Sequence, residues 1–173
     1  MARVGVGDGD DWRDWLDRHG PALVLLARQW VASRADAEDV VQEAFVRFWR
    51  TRERVLDPTA YLFGCVKHVA LDGLRGRRRQ ERRDMAAARP EAEPLFVDPL
   101  EQDERRAAIE ASLRELPLGQ AEVVVMKIWG GLTFPQIAEA LELPTNTVAS
   151  RYRYAIARLR ARLREQLAEE PIR

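Results

Sequence analysis

The sequence predicts an all-α protein built from two small helical domains, joined by an acidic, proline-containing linker, with a helix-turn-helix in the C-terminal domain. Apolar residues recur at helical spacing throughout, and no run alternates apolar and polar residues long enough to argue a strand. Residues 85–100 hold three prolines and no sustained periodicity, which marks an extended linker. Charge is segregated along the chain. Leu74–Arg83 carries six arginines against one glutamate, Arg151–Arg164 carries six arginines and no acid, and Glu91–Glu104 between them carries six carboxylates and no base. The net charge of zero is therefore a cancellation, and two separated basic stations suit nucleic acid as the first candidate partner.

A chain of 173 residues, 46% apolar and 32% charged, can form one ordinary domain or two small ones. The linker favours two. Each would have a thin core and is expected to gain order by docking on a larger partner. The lone Cys65 can form no intramolecular disulfide, which fits a reducing compartment. Arginine outnumbers lysine 26 to 2, a bias attributed mainly to genomic base composition. No basic-then-apolar leader opens the chain. The longest uncharged apolar stretch, Gly20–Ala27, is far shorter than the ~20 residues of a spanning helix. A soluble, cytoplasmic protein without membrane insertion is expected.

In the N-terminal domain, residues 10–80, Trp12, Trp15 and Leu16 open a short helix. Gly20-Pro21 is expected to interrupt it, with proline restarting a helix toward Val31. A second helix spans about Asp36–Arg50, with acids in its first turn to suit the helix dipole. Asp57 as N-cap and Pro58 at the first position start a third helix that runs to about Gly76. The linker occupies 81–100. The C-terminal domain, 101–168, offers four helices: Glu101–Leu116 ended by Pro117, Gly119–Trp129 ended by Gly130-Gly131, Thr133–Leu141, and about Thr145–Leu167. Thr133 and Gln136 have the spacing of a capping box.

The last two helices are joined by a turn of helix-turn-helix proportions. On the final helix, Val148, Tyr152, Ala155, Ile156, Leu159 and Leu163 share one apolar arc. Asn146, Thr147, Ser150, Arg153 and Tyr154 lie opposite, with Arg151 and Arg158 on the flank. Small polar groups and an arginine near a helix N-terminus can approach base edges while flanking arginines hold phosphates. The alternative is a solvated basic face on an ordinary amphipathic helix.

The third helix is also divided. Leu62, Val66, Val69 and Gly73 point one way; Tyr61, Gly64, Lys67, His68, Leu71, Asp72 and Arg75 point the other. This second strip runs into the first arginine cluster, with Arg77 and Arg78, and its ring, imidazole and cations suit unpaired bases. The plainer alternative packs Tyr61 in a core and leaves His68 on exposed surface. The second helix carries surplus apolar surface: Val40, Val41, Ala44, Phe45, Phe48 and Trp49 span about half the wheel, with Val46 on the far side beside Asp39, Gln42 and Glu43. That surplus suggests a protein-docking face.

Enzymatic signatures are missing. His19, His68 and Cys65 lack metal-ligand spacing, and neither a glycine-rich phosphate loop nor a nucleophile motif occurs. No catalytic residue, cofactor, metal or small-molecule substrate is expected.

Three segments in order resemble the extracytoplasmic-function (ECF) group of bacterial sigma factors. Asp36–Trp49 (DAEDVVQEAFVRFW) is similar to the polymerase-binding segment; Tyr61-Leu-Phe through His68-Val-Ala-Leu-Asp-Gly-Leu-Arg75 is similar to the promoter-melting segment. Thr133–Leu141 with Thr147–Ala155 is similar to the upstream-element reader. The resemblance covers about residues 12–166. It implies a non-enzymatic specificity subunit that binds core RNA polymerase through the β′ clamp helices and the β subunit, reads promoter DNA and helps open it.

Asp39, Gln42 and Glu43, with Val46 and Trp49, would meet the polymerase. The 51–58 loop and the face of Tyr61, Lys67, His68 and Arg75, extended by Arg77 and Arg78, would take the minus-ten element. Asn146, Thr147, Ser150, Arg151, Arg153, Tyr154 and Arg158 would take the minus-thirty-five element as duplex. The acidic linker would thread toward the polymerase cleft, and an anti-sigma protein is an expected partner. His68 stands where the family usually has asparagine, and Tyr154 where arginine is common. The rival readings are a free-standing helix-turn-helix regulator and an interaction module binding an acidic protein surface.

Overall fold

The computed structural model describes residues 9–81 and 108–169, and every described element is helical. Three helices form an N-terminal group: α1 (Gly9–Ala27), α2 (Arg34–Thr51) and α3 (Pro58–Glu81), with a 3-10 turn at Arg52–Arg54 after α2. A C-terminal group follows: a helix described over 108–114 (α4), then α5 (Leu118–Ile128), α6 (Phe134–Leu141) and α7 (Thr145–Glu169). The linker expectation lies outside the described residues.

Pro21 does not divide α1; the helix runs through it. An interior proline costs about 3 kcal/mol. Leu23 and Leu26 are completely buried one turn later, and burying each contributes about 1.5–3 kcal/mol. Tertiary burial therefore outweighs the local break. α2 begins two residues before the expected start because Ser33 accepts from the Asp36 backbone N–H (3.0 Å). α3 starts as predicted, with Asp57 Oδ1 accepting from the Ala60 N–H (2.9 Å). Gly73, expected toward the core, is exposed.

Both halves of the capping box at α6 are present: the Gln136 N–H donates to Thr133 Oγ1 and the Thr133 N–H to Gln136 Oε1. The turn into α7 passes through Glu142, whose φ of 56° is left-handed. Val148 and Ala155 are fully buried, as expected for the apolar arc of α7, and Tyr152 sets its ring edge against Phe134 of α6 at 5.5 Å between centroids. The Leu163 side chain lies outside the described residues.

In place of two thin cores, the apolar side chains of both groups merge into one cluster. The helix that makes this possible is α5. Ala121–Met126 is buried on every side, the pattern of a helix surrounded by neighbours, and α5 packs on α1, α6 and α7. The other junction is α3 against α6. At Gly64 the helices approach so closely that a Cβ would stand 3.1 Å from the Ala140 carbonyl oxygen. Gly130 allows Phe63 of α3 to reach the end of α5, since a Cβ there would stand 2.8 Å from Phe63 Cζ. Arg28 and Glu110 tie α1 to α4 at 2.9 Å, both side chains mostly buried.

Candidate nucleic-acid and polymerase interface

Asp39, Gln42, Glu43, Val46 and Trp49 are all exposed on α2. Their spacing of three and four residues makes one strip. Beneath it Ala37, Val40, Val41, Ala44 and Phe48 are buried, so the surplus read from the sequence divides into core and face. Val46 is 45% exposed and Trp49 40%, too much for core residues of this size. Trp49 is held between the Phe45 ring, stacked at 5.9 Å, and the Arg52 guanidinium, 4.1 Å from its centroid. Glu43 pairs with Arg47 at 2.9 Å, and Arg47 reaches Asp72 of α3 at 3.4 Å.

The strip on α3 is partly covered. Tyr61 and His68 are exposed, Lys67 is mostly covered and Gly64 is buried under α6. The Tyr61 hydroxyl accepts from Thr51 Oγ1 (3.3 Å) and its ring lies against Phe48. Lys67 Nζ stands 3.9 Å from Glu122 Oε2 of α5, and His68 Nε2 stands 3.3 Å from Glu142 Oε1. Arg75 is exposed beside Asp72 at 3.5 Å. The side chains of Arg77 and Arg78 lie outside the described residues, although the α3 backbone extends past them. Cys65 lines a shallow cleft between α3 and α6 together with Tyr61 and His68, and burial pushes its thiol up despite a hydrogen bond from Tyr61.

On α7, Asn146, Arg153, Tyr154 and Arg158 are exposed, while Thr147 and Ser150 are half-buried beside them. The Arg153 guanidinium lies 5.7 Å from the Tyr154 ring centroid, so the two side chains present one planar cationic and aromatic patch. Arg151 behaves differently. It folds over α5, where a Cβ on Gly119 would stand 2.7 Å from its Nη1, and it is half-buried.

Glu122 was not singled out in the sequence, although a lone acid in the apolar run Ala121–Met126 is the signal that could have found it. It is 4% exposed. Burial pushes its carboxyl up from the ordinary range; Lys67 and Arg151 pull it only partly back. Arg28 and Glu110 were missed for a different reason: 82 residues separate them in the chain.

Among the described residues no group of histidine, cysteine and acidic side chains is arranged to hold a metal ion, and no helix is long and apolar enough to cross a membrane. A helix-turn-helix with a polar outer face, packed on a three-helix group that carries a separate exposed strip on α2, is the arrangement of a two-part helical protein of the nucleic-acid-binding class. Residues 15–80 match the family Sigma-70 region 2 and residues 106–164 match Sigma-70, region 4. Over 172 residues the chain is 29% identical to the ECF RNA polymerase sigma factor SigL of Mycobacterium tuberculosis, covering 95% of this chain and 97% of that one.

Two solved structures share the fold. One is the sigma factor RpoE of Bartonella quintana in complex with the anti-sigma factor NepR, with a TM-score of 0.65 at 20% identity, covering 90% of this chain and 98% of that one. The other is CnrH in complex with the cytosolic domain of CnrY, with a TM-score of 0.62 at 27% identity, covering 95% and 92%. The chain belongs to the ECF group of RNA polymerase sigma factors. It is a non-enzymatic, alternative specificity factor that directs RNA polymerase in transcription initiation. A free-standing helix-turn-helix regulator would not account for the region 2 match over 15–80.

Proposed function

We propose that the α2 strip of Asp39, Gln42, Glu43, Val46 and Trp49 docks on the β′ clamp helices of core polymerase, that Tyr61, Lys67, His68 and Arg75 of α3, continued by Arg77 and Arg78, engage the melted minus-ten element, and that α7 reads the minus-thirty-five duplex. The bounds of the working units are 10–80, 81–100 and 101–168. The observation that carries this reading is the outer face of α7: Asn146 and Arg153 are exposed and Thr147 and Ser150 half-exposed, directly opposite the buried Val148 and Ala155. Such a face puts small donors and one guanidinium at a major groove. Arg151, folded onto α5, supports the reader helix from behind.

The protein works in the cytoplasm, where polymerase and promoters are. Melting requires no chemistry from the chain, only that unpaired bases bind better than stacked ones, by a few kcal/mol per flipped base. One fold neighbour was solved with an anti-sigma factor and another with the cytosolic domain of CnrY, and an anti-sigma partner is proposed here.

Transcription from a set of promoters with purified core polymerase, with and without the chain, tests the assignment. Firing of particular promoters only when the chain is present is the expected result; absence of both firing and core binding would remove it. Arg153→Ala should weaken binding to the promoter so found by about 1–3 kcal/mol if the guanidinium makes a bidentate base contact. An equal loss on every sequence would make it a phosphate contact instead.

A further inference from the structure

The outer face of α7 carries a contact that helix geometry does not supply by itself. Successive residues on a helix point about 100° apart and do not face each other, yet the Arg153 guanidinium lies 5.7 Å from the Tyr154 ring centroid. Small neighbours on the midline make room for it. Ser150 stands one turn before the pair and Ala157 one turn after, with Arg153 and Tyr154 about 50° to either side of that line. The burial of Val148 and Ala155 on the opposite side of α7 fixes the direction in which the pair looks, and Tyr154 is 62% exposed. Among the described residues no ion pair holds Arg153, whereas Arg162, further along α7, is tied to Glu115. The donors of Arg153 therefore stay available while the ring holds its plane.

We propose that Arg153 and Tyr154 act as one reader of two adjacent base pairs: the guanidinium donates to O6 and N7 of a guanine, and the phenol ring packs against the 5-methyl group of a thymine in the next pair. The inference rests on the assignment of α7 to the minus-thirty-five duplex. Each half follows from the chemistry of major-groove edges. Guanine presents two acceptors that match the guanidinium fork, and the thymine methyl is the apolar feature that an uncharged ring can cover. The contact between the two side chains sets their register on the DNA. A ring laid against a guanidinium that meets one base edge sits over the neighbouring base edge rather than over a phosphate. The two residues are about 1.5 Å apart along the helix axis, less than the ~3.4 Å between stacked pairs, so the pairs they meet are neighbours.

Tyr154 is also a positioning residue for Arg153. A guanidinium already held on a ring loses less rotamer freedom on binding than one on a free stem. Removal of the ring therefore weakens the guanine contact together with the thymine contact.

The test uses the full chain with core polymerase. Promoter fragments whose upstream element is randomised are bound, recovered and sequenced for the wild type and for Arg153→Ala, Tyr154→Phe and Tyr154→Ala. The wild type should select a guanine beside a T·A pair. Arg153→Ala should lose the guanine, Tyr154→Phe should keep both letters, and Tyr154→Ala should lose the thymine and accept other bases in place of guanine more often. In the selected fragment, deoxyuridine in place of that thymine removes only the methyl group. Binding by the wild type and Tyr154→Phe should then weaken by about fourfold, the contribution of one buried methyl-sized group, and binding by Tyr154→Ala should not change. Equal binding of the two fragments by the wild type, a wild-type selection without a guanine beside a thymine, or an unaltered selection with Tyr154→Ala overturns the paired reader. So does a Tyr154→Phe that behaves like Tyr154→Ala, since the hydroxyl and not the ring would then carry the contact. The deoxyuridine comparison on the wild type decides even where a variant fails to fold. Should the wild type select no upstream letters at all, the minus-thirty-five assignment has failed; should it select letters that Tyr154→Ala leaves in place, only the paired reader has.

Discussion

Replacing Arg28 by alanine removes a cation whose side chain is 11% exposed and whose partner Glu110 is 13% exposed. The loss is worked out from its bonds. Nε and Nη2 both donate to Glu110 Oε2, at 3.1 and 2.9 Å, and Nη1 donates to the Val31 and Ala32 carbonyls that follow α1. Breaking a buried pair from one side costs about 3–5 kcal/mol. Arg114 still reaches Glu110 at 3.0 Å from a 56% exposed position, so the lower end applies, about 3 kcal/mol.

In urea, with a slope of about 1–3 kcal/mol per molar, the unfolding midpoint should fall by roughly 1–3 M; on heating it should fall by about 6–12 °C. The double variant Arg28→Met, Glu110→Leu should recover most of the loss, because neither charge is then buried alone. A loss below about 1 kcal/mol in Arg28→Ala would mean that the pair is screened like a surface bridge, and a double variant as weak as the single would mean that packing, not charge, holds α1 to α4. Either result refutes the reasoning.

Glu142→Gly should raise stability by about 1 kcal/mol in urea unfolding, since a side chain at φ 56° carries a cost of that order which glycine lacks; the ion pair lost with His68 is exposed on both sides and contributes little. His19 should make the protein acid-sensitive. Its Nδ1 is buried without a partner among the described residues, its ring lies 4.5 Å from Trp15, and burial, then the Arg18 charge, lowers its pKa from 6.5. Above pH 6.5 the group is neutral in both states and contributes nothing. Below it the unfolded chain takes up the proton first, so stability falls as pH drops from 6.5 toward the folded value. The difference between wild type and His19→Gln across that window measures this, and parallel pH profiles would contradict it.

Features written in neighbouring residues were readable. The Asp57 cap, the Thr133 and Gln136 box and the apolar arc of α7 each depend on side chains within a turn or two of one another, where spacing alone sets geometry. The strip on α2 was readable for the same reason, once periodicity had separated Asp39, Gln42, Glu43 and Val46 from the buried side. Pro21 shows where local rules stop, because the burial that keeps α1 continuous comes from other helices. Arg151 shows it on α7: on the wheel it flanks the polar face, while the approach of α5 turns it inward over Gly119.

By itself, then, the sequence determined most of the helices, the caps at Asp57 and Thr133, the two basic stations and the family, all of which follow from short-range pattern and charge. Only the tertiary structure decided that the two helical groups share one core and that α6 lies across the strip on α3. Both depend on contacts far apart in the chain, Gly64 with Ala140, Lys67 with Glu122, Arg28 with Glu110. No periodicity within either segment records which surface of one will meet the other. The two arginine-rich stations read alike as charge, and it is this packing that distinguishes their surroundings: the outer face of α7 is open, whereas the α3 strip leading to the first station is partly covered by α6, with Lys67 and His68 facing Glu122 and Glu142.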